Sequence, residues 1–305
     1  MPPSPRNIER WNEALLRQAP PRGKSLIVTL FGDAIAPTSD ALWLGDLIHL
    51  LGAFHLTERL VRTSVFRLME EGWLVSERDG RRSRYSLTAH AAGELRLAQR
   101  HIYRRDSTRW DGEWTLVLLG GQAGPARREL RSALTWLGLG ESTPTLLLHP
   151  LPDREALAAC LQRMEAGAEA TVLRACDLGL ARGRTLAELA ADCWNLEEVA
   201  ARYREFIARF KPLCAWQAQD APVDPRSALT TRTLLIHEYR RATLHDPRLP
   251  AEMLPRDWPG HAAQALCASL YRWLYPYSAA HLQAVLGRKP PSLAALGRFA
   301  NEEPK

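Results

Sequence analysis

Arginine side chains are concentrated in two neighbouring stretches within the first hundred residues. The first stretch, residues 58–71, is a predicted helix, and a rotation of about 100° per residue divides it into two faces. The apolar face carries Val61, Ser64, Val65 and Leu68. The opposite face carries Arg59, Arg62, Thr63 and Arg67. This division is typical of DNA recognition, because one face packs on its own domain while long donors reach base edges or phosphates.

Phe66 interrupts the polar face of this predicted helix. It either contacts thymine methyl groups, which are the apolar feature of the major groove, or marks a helix register that differs from the assigned one. The sequence leaves both interpretations open.

The second arginine-rich stretch is a predicted β-hairpin. Strand-like residues 73–77 and 83–87 flank Asp79-Gly80, and Asp-Gly between two such runs is a strong hairpin signal. The hairpin carries Arg78, Arg81, Arg82 and Arg84. Arginines on a hairpin can contact backbone phosphates or enter a narrow minor groove. Either cluster alone is equally explained as a solvated surface, but the two together, close in the chain, favour DNA binding.

The elements that must position these arginines follow the order helix, helix, helix, hairpin, helix, which is the layout of a winged helix-turn-helix domain. Helices are predicted over residues 41–51, 58–71 and 88–105. Residues 25–32 fit either a buried helix or a strand. This order assigns residues 24–108 to a winged helix-turn-helix DNA-binding domain. The proline-rich residues 1–23 are predicted to be a flexible N-terminal arm with a short helix at residues 8–16.

A different pattern follows, in which strands and helices alternate. Strands are predicted over residues 113–119, 145–149 and 170–175, with a weaker strand just before 145, and helices over 125–136 and 153–165. This split βαβ arrangement predicts a ferredoxin-like α/β middle domain over residues 109–182. The domain resembles small CRISPR-associated endonucleases, whose first strand ends near a metal-binding Asp. Here the strand ends at Leu119-Gly120-Gly121-Gln122 without a carboxylate, so we predict a non-catalytic domain.

The remaining residues, 183–305, are predicted to form a helical C-terminal domain. Its helices are predicted over residues 186–194, 196–210, 228–244, 261–274 and 279–286. The predicted fold class is therefore α+β and multidomain, with a winged helix-turn-helix, a ferredoxin-like middle domain and a helical C-terminal domain.

Composition and charge agree with a globular protein whose basic surplus is localised. Of 305 residues, 46% are hydrophobic and 24% charged, which excludes a largely disordered chain. The net charge is +6, and residues 1–110 hold 17 basic and 12 acidic side chains against 23 and 22 in the remainder. The preference for Arg (36) over Lys (4) extends along the whole chain, so genome composition explains it. The position of the surplus charge, however, favours nucleic acid as a partner.

The sequence indicates a cytoplasmic protein without a resident metal. The five cysteines form no CxxC pair, which fits reduced thiols, and neither a signal core nor a bilayer-spanning run is present. His237, His245 and His261 are separated by 8 and 16 residues, which fits no usual metal motif, so no metal or cofactor is predicted. The nucleophile-elbow, phosphate-loop and zinc-protease motifs are missing from the sequence, so no catalytic residues are assigned.

Several stretches together resemble the PaaX-type repressors of phenylacetate degradation. Near the N-terminus, residues 57–65 read TERLVRTSV and residues 71–74 read EGWL. More specific are LLIHEYRR at 234–241, DPRLP at 246–250 and LPRDWPG at 254–260. The resemblance covers about residues 24–286. It implies a homodimeric transcriptional repressor of phenylacetate (aromatic acid) catabolism genes. Such a repressor binds double-stranded operator DNA, is released by phenylacetyl-CoA or a related aryl acyl-CoA, and uses its C-terminal domain for effector binding and dimerisation.

The distal stretch offers both kinds of group that an aryl acyl-CoA site needs, arginines for phosphates and aromatic rings for the acyl group. The candidate ligand-binding residues are His237, Tyr239, Arg240, Arg241, Arg248 and Trp258. In a competing structural interpretation, Arg240 and Arg241 pair with nearby carboxylates and hold the DPRLP loop in place, and Trp258 packs in a core. The carboxylates concerned are those of Glu238, Asp246 and Asp257. A third interpretation is an acyl-CoA-acting enzyme with His237 and Glu238 as an acid–base pair, but neighbours in a helix point about 100° apart. The prediction is therefore a regulator without enzyme activity.

Overall fold

The computed structural model describes residues 5–80, 82–103, 110–121, 123–164, 169–179, 185–219 and 221–299. It is a mixed helix-and-sheet fold that divides into two compact units. The first unit comprises residues 1–105, 205–244 and 261–305, and the second unit comprises residues 106–204 and 245–260. Each unit therefore joins segments that are far apart in the sequence. The predicted domain limits at residues 23, 108 and 182 divide the chain by sequence pattern instead, and they stay predictions.

The helices and strands lie close to the predicted elements in most of the chain. In chain order the helices are α1 (Pro5–Gln18), α2 (Gly23–Leu30), α3 (Leu44–Gly52), α4 (Glu58–Glu70), α5 (Ala89–Tyr103), α6 (Pro125–Trp136), α7 (Arg154–Arg163), α8 (Leu186–Cys193), α9 (Leu196–Phe210), α10 (Leu213–Gln217), α11 (Pro225–Thr243), α12 (Pro259–Leu286) and α13 (Leu293–Leu296). The strands are β1 (Ala41–Trp43), β2 (Leu74–Asp79), β3 (Arg82–Leu87), β4 (Glu113–Leu119), β5 (Gly140–Thr143), β6 (Leu146–His149) and β7 (Ala170–Cys176).

A three-stranded antiparallel sheet in the first unit has the strand order β1-β3-β2. Strands β2 and β3 form the predicted hairpin, and Leu74 pairs with Leu87 at its open end. The prediction of a helix from residue 41 is wrong over residues 41–43, which form β1, and Trp43 pairs there with Arg84. The reason is tertiary: β3 offers its second edge, where the backbone of β1 finds hydrogen-bond partners.

Helix α4 has the register predicted from its sequence. Its buried side chains are Val61, Ser64, Val65 and Leu68. Thr57 caps the N-terminus, because its hydroxyl oxygen accepts a hydrogen bond from the Leu60 backbone N–H at 3.3 Å. Helix α2 packs against α4, and a Cβ atom at Gly23 of α2 would come within 2.6 Å of the Ser64 hydroxyl oxygen. A larger residue at position 23 would therefore force the Ser64 hydroxyl to move.

Over its described residues, from residue 5 onward, the N-terminal segment is largely helical rather than the flexible arm expected for residues 1–23. It contains helix α1, whose buried apolar side chains are Ile8, Leu15 and Leu16. The Asn12 side chain donates to the Ser227 carbonyl at 3.2 Å and accepts from the Thr231 hydroxyl at 2.9 Å. These contacts attach α1 to α11, so burial overrides the proline-rich composition.

The segment that fitted either a helix or a strand, residues 25–32, is helical. Leu26, Ile27 and Leu30 of α2 are fully buried. The helix continues into a π-helical turn at Phe31–Ile35, which is buried throughout. This turn brings Asp33 into the interior of the first unit.

Asp33 is a fully buried carboxylate that accepts four hydrogen bonds from side chains. Arg232 Nε donates to it at 2.9 Å and Arg298 Nη1 at 3.1 Å. The hydroxyls of Tyr103 and Tyr271 donate at 2.7 and 2.8 Å. Burial by itself would raise the pKa of Asp33, but the two arginines, together with the two tyrosine hydroxyls, hold that pKa below its ordinary value. The cluster joins the π-helical turn after α2 to α5, α11, α12 and the chain after α13.

A single helix, α12, replaces the two helices predicted over residues 261–274 and 279–286. Pro276 lies inside it rather than between two helices. Leu274 and Ser278 are fully buried on either side of Pro276. Packing in the interior therefore keeps the helix continuous despite the missing backbone N–H.

The second unit contains a four-stranded antiparallel sheet with the order β5-β6-β4-β7. The predicted strands and helices of the middle region are present, and β5 is the weaker strand expected before residue 145. A core between the sheet and helices α6 and α7 contains Val117, Leu119, Leu130, Leu134, Leu139, Leu147, Leu157 and Cys160. His149 at the end of β6 donates from Nε2 to the Pro247 carbonyl at 2.7 Å and accepts at Nδ1 from the Leu151 N–H at 2.9 Å.

Candidate nucleic-acid interface and effector residues

Helix α4 presents its predicted polar face to solvent. The exposed polar side chains on this face are Arg59, Arg62, Thr63 and Arg67. Phe66 lies among them and is 59% exposed. Because the buried face of α4 has the predicted register, a register error is excluded as the explanation of Phe66.

The three arginines of α4 differ in their contacts. Arg62 Nη2 lies 2.6 Å from Glu58 Oε1, one turn earlier on the helix. Within the part of the chain that the structure describes, Arg59 and Arg67 have no carboxylate partner. An exposed pair such as Arg62–Glu58 contributes only about 0.3–0.5 kcal/mol, so Glu58 does not withhold Arg62 from a stronger anion. All three guanidinium groups are therefore available for phosphates or base edges.

The arginines of the β2–β3 hairpin are partly held by the protein itself. Arg78 Nε donates to the Gly80 carbonyl at 3.3 Å. The guanidinium groups of Arg82 and Arg84 lie 5.9 and 5.4 Å from the centroid of the Trp43 ring, within the range of cation–π attraction. Arg82 is exposed, whereas Arg84 is half-buried. Arg81, the fourth predicted arginine of the hairpin, lies outside the described residues.

Trp43 is a candidate residue that sequence reasoning missed. The prediction placed it in a helix, where it has no relation to the hairpin. In the sheet it pairs with Arg84, so its ring lies beside the two arginines. The usable signal was the run Ala41-Leu42-Trp43, which has strand-like residues but is too short to be assigned alone.

Two of the distal candidates, His237 and Arg240, contact the same residue of α2. His237 Nδ1 lies 3.1 Å from the Thr29 hydroxyl oxygen, and Arg240 Nη1 donates to that oxygen at 3.2 Å. Burial, with the nearby charges of Arg240 and Arg241, lowers the pKa of His237 to about 4. Burial also lowers the pKa of Arg240, and among the described atoms its Nε has no hydrogen-bond partner.

The other distal candidates in the first unit, Tyr239 and Arg241, have structural contacts. The buried Tyr239 ring packs with its centroid 5.3 Å from that of Phe206. Arg241 Nη1 lies 3.2 Å from Glu238 Oε1, while Arg209 Nη1 lies 2.7 Å from Glu238 Oε2. Glu238 is therefore engaged by two arginines while His237 faces Thr29, so the two do not form the acid–base pair of the enzyme interpretation.

Arg248 and Trp258 are the two distal candidates in the second unit. Hydrogen bonds and aromatic packing hold the chain in place at these two residues. The Arg248 N–H donates to Asp246 Oδ1 at 2.7 Å, and the Tyr203 hydroxyl donates to Asp246 Oδ2 at 2.6 Å. Arg248 adopts a left-handed backbone conformation with φ of 57°. Trp258 is buried with its ring centroid 6.0 Å from that of Tyr203. In the second unit Trp258 is therefore packed in the interior, and the Tyr203 hydroxyl is one of the groups that hold Asp246.

Neither a metal-binding cluster nor a membrane-spanning helix is found among the residues that the structure describes. Among them, no group of three or more His, Cys, Asp or Glu side chains is placed to hold a metal ion. Within the same ranges, no helix has the length and apolar character needed to cross a membrane.

Comparison with known proteins points to one family in three regions of the chain. Family models match residues 22–91 (PaaX-like protein), 107–187 (PaaX protein central Cas2-like domain) and 194–284 (PaaX-like protein C-terminal domain). The chain is 38% identical over 273 residues to the transcriptional repressor PaaX of Escherichia coli (strain K12), covering 88% of this chain and 85% of that relative. A solved structure, the uncharacterized protein Rv0674 from Mycobacterium tuberculosis, is similar with a TM-score of 0.53 and 22% identity, covering 85% of this chain and 96% of that one. This last likeness concerns the fold alone.

Proposed function

Because the chain belongs to the PaaX-like protein family, we propose that it is a transcriptional repressor of phenylacetate-catabolism genes that binds double-stranded operator DNA. Its relative in Escherichia coli is named a transcriptional repressor. The family is one of regulators and not of enzymes, in agreement with the prediction made from the sequence.

The observation that carries the proposal is the division of α4 into a buried apolar face and an exposed basic face. We assign α4 as the recognition helix, and the β2–β3 hairpin as the wing, of a winged helix-turn-helix domain. The buried side chains hold the helix on its domain, while Arg59, Arg62 and Arg67 are long enough to reach base edges in a major groove. Arg82 at the hairpin tip is suited to a phosphate contact, which positions the protein without reading sequence.

We further propose that the repressor is a cytoplasmic homodimer that binds an inverted repeat. Two recognition helices about 34 Å apart fit successive major grooves on one side of the duplex. For the middle region we propose a ferredoxin-like domain, which the sheet order β5-β6-β4-β7 with two helices supports. Its first strand ends at Leu119 and is followed by two glycines rather than a carboxylate, which supports a non-catalytic role.

The proposed effector is phenylacetyl-CoA or a related aryl acyl-CoA. Of the distal candidate residues, we propose Arg240 as the one that binds the anionic part of this ligand. This half-buried guanidinium has an Nε atom without a partner among the described residues, and burial lowers its pKa. A buried cation without a carboxylate is costly, so an anionic ligand would stabilise it. Tyr239 and Arg241 are already engaged by Phe206 and Glu238. The proposed dimer has one conformation that fits the operator and another that does not. The effector releases DNA only to the extent that it binds the second conformation more tightly than the first.

The test is a titration of the full chain onto labelled DNA from upstream of its own gene, with and without phenylacetyl-CoA. We expect tight binding that weakens steeply with salt, and release by phenylacetyl-CoA but not by CoA alone.

Arg240→Ala should retain DNA binding and need more effector for release, whereas Arg241→Ala should behave as the unchanged protein. Equal affinity for upstream and random DNA would contradict the repressor proposal. Equal effects of the two substitutions would contradict the choice of Arg240.

A further inference from the structure

Phe66 is an apolar side chain at the centre of a charged helix face. On a helix of about 3.6 residues per turn it lies one turn from Arg62 and Thr63, two turns from Arg59 and beside Arg67. Its ring is 59% exposed. A single exposed apolar residue is ordinary on a protein surface, so its position, and not its exposure, requires explanation.

The packing of α4 fixes Phe66 on this face. Val61 and Val65 are buried on the opposite side of the helix, and Thr57 caps the first turn. A rotation of α4 that buried Phe66 would expose Val61 and Val65 to water. The helix therefore presents an aromatic ring and three arginines to the same partner.

The charge around Phe66 selects the kind of partner. Within the described residues, only Arg62 of the three arginines has a carboxylate neighbour. A protein seated on Phe66 would have to desolvate these guanidinium groups and supply carboxylates that balance them. A nucleic-acid duplex supplies phosphates for the arginines and, in its major groove, one kind of apolar group at the base edges. That group is the C5 methyl of thymine.

We propose that Phe66 is a specificity-determining residue that packs against a thymine C5 methyl group in the major groove. This inference rests on the proposed DNA-binding function and adds to it a requirement for thymine at a defined position of the binding site. The arginines beside Phe66 bind the neighbouring base edges or phosphates through hydrogen bonds. The Phe66 ring contacts the methyl group, which forms no hydrogen bond.

The experiment removes the methyl group without changing base pairing. The full chain first enriches a duplex from a random-sequence pool, and each thymine of that duplex is then replaced in turn by deoxyuridine. With the unchanged protein we expect one or two positions at which deoxyuridine weakens binding about three- to fivefold, the factor expected for withdrawing one methyl group from an apolar contact. With Phe66→Ala, the same replacements should have no further effect.

Two matched variants complete the design. Leu60→Ala removes another exposed apolar side chain of α4, 44% exposed, that lies about 120° around the helix from Phe66. It should keep the deoxyuridine sensitivity of the unchanged protein. Phe66→Leu keeps an apolar side chain and should keep most of that sensitivity. Because Phe66 is exposed, neither substitution there should unfold the protein, which a thermal melt of each variant checks.

The outcomes separate this inference from the proposed function. If no duplex is enriched, the DNA-binding proposal itself is overturned, and this inference with it. If a duplex is enriched but Phe66→Ala keeps the deoxyuridine sensitivity, only the role of Phe66 is overturned. A Phe66→Ala variant that changes its sedimentation but not its deoxyuridine pattern would also overturn that role, and would assign the ring to a protein contact.

Discussion

The arginines of α4 and those around Asp33 have the same chemistry and opposite surroundings. Arg59 and Arg67 are exposed on α4. Arg232 and Arg298 are buried, and both donate to the carboxylate of Asp33. The comparison shows that residue type alone does not identify a binding residue. An arginine is available to a partner when water solvates it, and it is part of the fold when a buried carboxylate balances it.

The two clusters also differ in what their loss should cost. A buried ion pair contributes little compared with an apolar replacement, but removing one partner leaves an uncompensated charge in the interior. An exposed arginine can be removed with little change in stability, and its loss then appears in binding.

Asp33→Asn should reduce the free energy of unfolding by about 3–5 kcal/mol. The substitution keeps the shape of the side chain but leaves Arg232 and Arg298 without a buried negative charge. Urea denaturation of the full chain measures the change. Asp79→Asn, on the exposed hairpin, is the control and should change stability by less than about 0.5 kcal/mol. Similar losses in both variants would mean that Asp33 does not balance the interior arginines.

His237 should make the stability of the first unit depend on pH. Burial lowers its pKa in the folded state to about 4, below the ordinary value of 6.5. Between these values the unfolded state binds more protons, so stability falls as the pH decreases. The expected loss from this group is about 2 kcal/mol between pH 7 and pH 5. Urea denaturation of His237→Gln should show a shallower pH dependence than the unchanged protein.

A control for the exchange of histidine for glutamine is His55→Gln, at an exposed histidine near Glu13. At pH 7 it should change the free energy of unfolding by less than about 0.5 kcal/mol. An identical pH dependence in His237→Gln and in the unchanged protein would contradict the assignment of a buried neutral imidazole at position 237.

Arg67→Ala should weaken operator binding by about 1–3 kcal/mol if its guanidinium reads a base, while stability changes by less than about 0.5 kcal/mol. The loss in Arg62→Ala should be smaller by about 0.3–0.5 kcal/mol, because Arg62 must first separate from Glu58. Fluorescence anisotropy on the enriched duplex and a scrambled duplex measures both effects. Unchanged operator affinity in both variants would remove α4 from the role of recognition helix.

Arg82→Ala should have the smallest effect, a loss of affinity that is about equal on operator and random DNA. A phosphate contact carries no sequence information, and its removal should lower the slope of log affinity against log salt by about 1. Trp43→Leu removes the ring beside Arg82 and Arg84 and should weaken both DNAs in the same way. A loss confined to the operator would mean that the hairpin reads sequence.

Much of the proposed interface could be predicted from the sequence because it depends on local periodicity. The 3.6-residue repeat of α4 fixes which side chains face the core, and Asp79-Gly80 marks the turn of the hairpin. The strand at residues 41–43 could not be predicted. Three residues carry too little periodicity, and the strand exists only because β3 is beside it.

The proposed effector-binding residues show the opposite case. His237, Arg240 and Tyr239 follow one another within four positions of α11, yet the structure gives them different neighbours. His237 and Arg240 contact Thr29, about two hundred residues earlier in the chain, whereas Tyr239 packs on Phe206. A motif states which side chains are near one another in sequence. It does not state which of them have partners already.

The sequence by itself determined the family of this protein, the two faces of α4 and the location of its basic surplus, since these depend on residue identity and short-range spacing. Only the tertiary structure decided which arginines are free to bind. Asp33 and Arg232 lie 199 positions apart and meet in the interior of the first unit. Burial and charge compensation there arise from chain segments that no local pattern relates, so the function of each guanidinium depends on the packed fold.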